Sequence, residues 1–223
     1  MQKNSTYDVI VVGAGVVGCS IAYHLAKTGL KVALLDQAQV GAGASGANSG
    51  LIQTNDAELL HSIPMVTASF SRYDHLEEEL GMSMNFERTG ILHLIPSEEY
   101  WQTSIERAQA LSQAGVDCEM LSPARAAEVE PLLDPHTVIG ALYASHQGKI
   151  NPFRLMWAYL RRGIPMGISL HTYTRVTGFD VQSGRVQGVH TDHGDFSAGR
   201  VVLATAAWTR PLGRLLGQDW KVY

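Results

Sequence analysis

The apolar positions fall into short blocks cut by glycine. Tyr7-Asp8-Val9-Ile10-Val11-Val12 is mostly β-branched and ends at Gly13. Such a run predicts a strand buried on both faces, as in a parallel sheet. From Ser20 to Thr28, Ile21, Ala22 and Leu25 share one helical face, and Gly29 supplies the stop. Lys31-Val32-Ala33-Leu34-Leu35 predicts a second apolar strand, ending at Asp36. Helices are expected at Ile63 to Leu80, at Glu98 to Ala114 with Ser97 as cap, at Ser122-Pro123 onward, and at Pro152 to Arg162 behind Asn151. Strands are expected at Gly90 to Ile95 and Val138 to Ser145. Ser169 to Val181, Arg185 to Asp192 and Asp195 to Ala198 read as a β-meander turning at Gln182-Ser183-Gly184 and Asp192-His193-Gly194. Arg200 to Thr205 reads as a last parallel-type strand, followed by a helix from about Trp208 to Leu216. No internal repeat is visible.

The first three elements form a βαβ unit of about 30 residues. Their junction is Gly13-Ala14-Gly15-Val16-Val17-Gly18. A lone GxGxxG is weak, but this one follows a strand, opens a helix and is answered by Asp36 at the end of the next strand. Gly13 permits a tight turn. Gly15 lets a pyrophosphate approach backbone N–H groups at the helix N-terminus, and Gly18 lets helix and strand pack closely. Asp36 would accept hydrogen bonds from the ribose of an adenosine half. The fingerprint does not separate FAD from a nicotinamide dinucleotide. A second run, Gly41-Ala42-Gly43-Ala44-Ser45-Gly46-Ala47-Asn48-Ser49-Gly50, holds only Gly, Ala, Ser and Asn. It reads either as a flexible linker or as a loop whose backbone meets a ligand. Apolar sequence resumes at once at Leu51-Ile52, which favours the loop, and a second loop suits an extended flavin better than a nicotinamide.

Composition narrows the partners. The 223 residues carry a formal net charge of −4, with 45% hydrophobic and 17% charged residues. This is a globular chain with no positive excess for a phosphate backbone, so nucleic acid is not an expected partner. Val9 to Tyr23 is too short for a membrane span of ~20 residues, and Asp8 stands where a signal peptide would be basic. A cytoplasmic location is expected, with any membrane association made through partners. Cys19 and Cys118 form neither a disulfide framework nor a CxxC pair, and the nine histidines show no HxH or HxxxH spacing, so no metal is expected. Cys19 reads as a small buried hydrophobe and neither cysteine as a flavin attachment point.

Together these segments resemble the FAD-dependent D-amino-acid oxidase and glycine/sarcosine oxidase superfamily. The matching stretches are Val9 to Gly18, Leu34 to Asp36, Gly43 to Leu51, Thr89 to Leu92, Gly148 to Pro152, Gly188 to Thr191 and Val201 to Trp208. The resemblance implies an α/β chain with a Rossmann-like FAD-binding domain from residues 1–60 and 146–223, and part of a mixed α+β substrate domain at 61–145. It implies that Gly13, Gly15, Val16 and Val17 contact the pyrophosphate, and Asp36 and Gln37 the adenosine ribose. Ser45, Asn48, Ser49, Gly50 and Leu51 would meet the diphosphate, ribityl and flavin side. Val176 would offer its backbone to adenine, with Ala204, Ala207 and Trp208 closing over the cofactor. Asp36 stands where many members carry Glu, and Ala206 where glycine is usual.

Relatives of this kind run well past Tyr223, so an N-terminal portion of a longer protein is expected. The implied activity is oxidation of a C–N bond beside a carboxylate, with hydride passing to flavin N5 and the imine then hydrolysed. The cofactor carries that chemistry. No catalytic residue stands out. Arg72 and Arg88 are weak candidates for a carboxylate clamp, and both read better as exposed surface positions. His61 and His93 read as structural. Two alternatives remain. One is flavin-dependent oxidation of a 2-hydroxy acid or glycerol 3-phosphate. The other is a non-catalytic FAD-binding piece or subunit that self-associates or pairs with a C-terminal half or electron-transfer subunit.

Overall fold

A computed structural model describes residues 5–53 and 61–221. The chain divides into two compact units, one of Met1–Ser49, Leu80–Met84 and Pro152–Tyr223, the other of Gly50–Glu79 and Asn85–Asn151. The expected boundary at residue 60 lies outside the described residues.

The first unit opens with β1 (Ser5–Tyr7) and β2 (Val9–Val12), where one strand was expected. Asp8 divides them. Its N–H donates to the Lys31 carbonyl at 2.9 Å, and its Oδ2 accepts from the Lys31 N–H at 2.7 Å, which turns the chain from one sheet into another. Helix α1 (Val16–Lys27) starts four residues before the expected Ser20, directly behind the glycine turn. It leads to β3 (Val32–Leu35), whose four residues are all buried, as are those of β2.

Within the second unit, β4 (Leu51–Ile52) pairs with β8 (Gly148–Lys149), a pair too short to leave a pattern. Helix α2 (Ile63–Leu80) has its expected bounds and ends at Gly81, where φ is 65°. Strand β5 (Ile91–Ile95) pairs antiparallel with β7 (Gly140–Ala144), which in turn pairs with β6 (Cys118–Leu121), a strand the pattern did not show. Helix α3 (Glu98–Gln113) begins after Ser97, whose hydroxyl makes no capping bond, contrary to expectation. Helix α4 (Pro123–Val129) is capped by Ser122, which accepts from the Arg125 N–H. Ile63, Leu111, Val116 and Leu142 form one core cluster here, and Leu121, Ala126 and Ala141 another.

Back in the first unit, α5 (Pro152–Gly163) packs on α1. The expected long strand from Ser169 to Val181 is two strands in two sheets. One is β9 (Ile168–His171), parallel to β3; the other is β10 (Val176–Gln182) of the meander. The break has a local cause. Tyr173 takes a φ of 52°, its N–H reaches the Ala38 carbonyl at 3.1 Å, and the Thr174 N–H reaches the Asp36 carbonyl at 2.7 Å. β11 (Arg185–Thr191) and β12 (Gly194–Ala198) complete the meander. Its first turn has successive φ values of 51° at Ser183 and 75° at Gly184, the two-residue hairpin geometry that matches strand twist.

β13 (Val201–Leu203) is followed by a 3-10 turn at Ala206–Trp208 and by α6 (Thr209–Arg214), shorter than the expected helix. The two sheets run in the orders β13-β2-β3-β9, all parallel, and β1-β12-β11-β10. Ile10, Val12, Ala33 and Leu35 bury one face of the parallel sheet against Val176, Val189 and Ala198 of the meander. Tyr7, Phe196 and His171 form a ring cluster at that seam, with Tyr7 Oη 3.3 Å from His171 Nε2.

Candidate functional site

In a parallel sheet, ligand crevices form outside the carboxyl ends of the strands. Here all four strands of the parallel sheet end at one cavity of about 470 Å³, lined by Val12, Gly13 and Gly15 at the end of β2, Asp36 to Ala38 after β3, Thr174 to Val176 after β9, and Ala204 to Ala206 after β13.

The glycine turn is built by contact distances. Gly13 has a φ of 104°, and a Cβ there would lie 2.4 Å from the Ala204 carbonyl oxygen. Its N–H donates to the Leu35 carbonyl at 2.7 Å. A Cβ on Gly18 would lie 1.7 Å from the Gly13 carbonyl oxygen, so the first and third glycines press helix and turn together. Gly15 precedes α1 in extended conformation, and a Cβ there would lie 2.8 Å from Ser45 Oγ. That hydroxyl accepts from the Val16 N–H at 3.0 Å. The first turn of α1 has no acidic side chain, and among the described residues the Val17 and Gly18 N–H groups meet no acceptor. Amides left open at a helix start favour an anion.

Asp36 does more than the sequence suggests. Its Oδ2 accepts from the Ala14 N–H at 2.7 Å and its Oδ1 from the Ala38 N–H at 2.8 Å. The carboxylate therefore ties the glycine turn to the loop after β3. Each oxygen keeps a second lone pair, so acceptor capacity remains on the cavity side.

Of the expected cofactor residues, Gly13, Gly15, Asp36, Gln37, Ser45, Val176, Ala204 and Trp208 line this cavity. The others lie elsewhere. Val17 is 59% exposed on α1, and Gly18 is buried beneath the turn. Asn48 fastens the second glycine-rich loop on itself, donating to the Ala44 carbonyl at 3.0 Å and the Ser45 carbonyl at 2.8 Å. Val16, Ser49 and Ala207 are not part of the lining. Gly50 and Leu51 belong to the second unit, where Leu51 pairs with Lys149.

That loop is not a loose linker. A Cβ on Gly41 would lie 2.5 Å from Met156 Cε, and one on Gly46 2.7 Å from Phe153 Cζ, so α5 forms its seat. Sequence reasoning missed Thr174, Arg175 and the wall of Pro211, Leu212 and Leu215. The apolar 212/215 spacing on the last helix was a usable signal; nothing marked Arg175.

The remaining candidates are accounted for within their own units. Arg88 grips Asp74 with Nη2 at 2.7 Å from both carboxylate oxygens, donates from Nη1 to the His146 carbonyl at 3.1 Å, and lies over the Phe70 ring at 4.5 Å. It is not a free clamp. Arg72 and His61 are exposed. His93 is held below the usual imidazole range, first by burial and then by the Arg107 charge. Burial pushes the Cys19 thiol up to about 12, with a further push from Asp36, so it stays a neutral, unreactive thiol. Among the described residues no group of three His, Cys, Asp or Glu could hold a metal, and no helix is long and apolar enough to cross a membrane.

The cavity suits a dinucleotide by its own chemistry. The glycine turn that leads into a helix start borders it, a carboxylate stands one strand further on, and an apolar wall of Trp208, Pro211 and Leu212 can cover a ring.

Comparison with known proteins agrees. The model of the FAD dependent oxidoreductase (DAO) family matches residues 8–223, and the chain belongs to that family. The β subunit of sarcosine oxidase from an Arthrobacter species is 32% identical over 97% of this chain and 55% of its own length. The mouse mitochondrial regulatory subunit of pyruvate dehydrogenase phosphatase is 29% identical over 92% of this chain and 24% of its own length. Among solved structures, L-proline dehydrogenase from P. horikoshii superposes with a TM-score of 0.89 at 29% identity, covering 98% of this chain and 58% of that one. The chain thus spans about half, or less, of the relatives it matches.

Proposed function

We propose that this chain holds FAD in the cavity at the ends of the parallel strands, and that its parent activity is oxidation of an amino acid at its C–N bond. The observation that carries the reading is the cavity itself. The glycine turn of Gly13 and Gly15 before α1 would take the diphosphate, Asp36 and Gln37 the ribose, and the Val176 backbone the base. On this reading residues 1–60 and 146–223 form the FAD-binding part and 61–145 belong to a substrate domain. FAD supplies the hydride acceptor; the residues named here bind it and exclude water from its adenosine half.

The substrate class rests on the family and on the relatives' names. Sarcosine and L-proline each carry an amine on the carbon next to a carboxylate. Partners on this reading are a small amino-acid-like substrate and either a second copy or a further electron-transfer subunit. The test is anaerobic addition of amino acids to the FAD-loaded protein. Bleaching of the visible flavin band by sarcosine, glycine or proline is expected. Bleaching by 2-hydroxy acids or glycerol 3-phosphate instead would overturn the C–N assignment.

One relative favours a second reading. The pyruvate dehydrogenase phosphatase subunit carries a regulatory name on the same family segment. A protein that retains FAD but is bleached by none of these compounds would belong with that reading.

A further inference from the structure

The strand ends order the cavity. Along the sheet β2, β3 and β9 are neighbours, so their loops lie at successive steps of about 4.8 Å. The loop after β2 brings Gly13 and Gly15, the loop after β3 brings Asp36, and the next step is the segment Thr174 to Val176. A dinucleotide laid across these ends with its diphosphate on α1 and its ribose at Asp36 brings its base to that third step.

Arg175 lies there. It and Asp36 are the only charged residues among those lining the cavity. Its backbone is fixed from both sides: its N–H donates to Asp192 Oδ1 at 2.8 Å, and its carbonyl accepts from the Asp192 N–H at 3.1 Å. Asp192 is occupied by that backbone contact and by His193 Nδ1 at 2.9 Å. Among the described residues the Arg175 guanidinium has no hydrogen bond or ion pair. An exposed, planar cation in the lining of a cavity, with no partner among the described residues, is suited to stacking on a π face.

We propose that Arg175 is a further specificity-determining residue, whose guanidinium stacks on the purine base and selects the adenosine half of the cofactor. The inference rests on the FAD reading above. It differs from a phosphate contact in one respect: a lysine keeps the charge and loses the plane.

The experiment measures the dissociation constants of FAD and of ADP for the full 223-residue chain and for Arg175→Ala, Arg175→Lys and Arg175→Met, with circular dichroism as the folding control. Stacking on one base predicts that Arg175→Ala weakens both ligands about tenfold. Arg175→Lys should recover little of the loss, and each variant should keep the wild-type spectrum and melting temperature. Full recovery by lysine would overturn the proposal in favour of a phosphate contact. Unchanged affinity in Arg175→Ala would overturn it altogether. A wild-type chain that binds ADP but not FAD would contradict the FAD reading while leaving the Arg175 comparison intact on ADP. A chain that binds neither contradicts both.

Discussion

Two residues that the family resemblance singles out, Ala206 and Asp36, each have a physical consequence in the fold. Ala206 takes a φ of 43°, a region costly for any residue with a Cβ by roughly 1–2 kcal/mol. Part of that is offset because glycine loses more entropy on folding. Ala206→Gly should therefore stabilise the protein by about 1 kcal/mol, raising Tm by roughly 2–4 °C in a thermal melt. Asp36 already accepts from backbone with both its oxygens, at Ala14 and Ala38. Asp36→Asn would turn an amide NH2 toward one of those donors. A loss of about 1–3 kcal/mol is expected, together with weaker FAD binding. Equal Tm for Asn and wild type would show that the carboxylate does not brace the turn. The fingerprint made Asp36 legible as a ribose acceptor. Its bracing role was not legible, because it depends on loops that only the folded sheet brings together.

Elements were read well where their periodicity was local. α2 kept its bounds, and β2 and β3 were marked by runs of Val, Ile, Ala and Leu buried on both faces. Reading failed where a strand changes sheet. Nothing in Ser169 to Val181 announces that the chain leaves the strand at Tyr173, since the partners of Tyr173 and Thr174 are Ala38 and Asp36, far away in sequence. β6 escaped because Cys118–Leu121 is short and mixes charge with apolar residues.

At the far end, α6 carries one wall of the cavity and is strapped by its own tail. Asp219 receives Arg210 Nε at 2.8 Å and Arg214 Nε at 3.2 Å, and Trp220 packs against Gly213. The hydrogen bonds from Arg210 and Arg214 hold the Asp219 carboxyl at about 2, below its ordinary 3.8. Its folded value is depressed, so the strap contributes above about pH 3.8 and is lost as pH falls toward 2. Asp219→Asn should remove that acid-limb loss from the melting profile, with only a small change at pH 7 because the pair is exposed and screened. An unchanged acid limb would show that the strap is not felt.

At the scale of the whole molecule, one unit carries a cavity at the ends of four parallel strands, where we propose that FAD is held. The family was legible from collinear motifs, and the first and third glycines of the fingerprint are each demanded by a contact. Gly13 faces the Ala204 carbonyl and Gly18 the Gly13 carbonyl. Substrate recognition was not legible, since neither Arg88 nor Arg72 offers a carboxylate clamp. The most direct measurement is the visible spectrum of the purified chain passed through gel filtration after incubation with FAD, beside Gly15→Val. Flavin bands should travel with the wild-type protein and be lost in the variant, whose side chain would meet Ser45 and the proposed diphosphate path. A folded wild-type chain that emerges colourless, or a variant that keeps the flavin, would contradict the FAD reading.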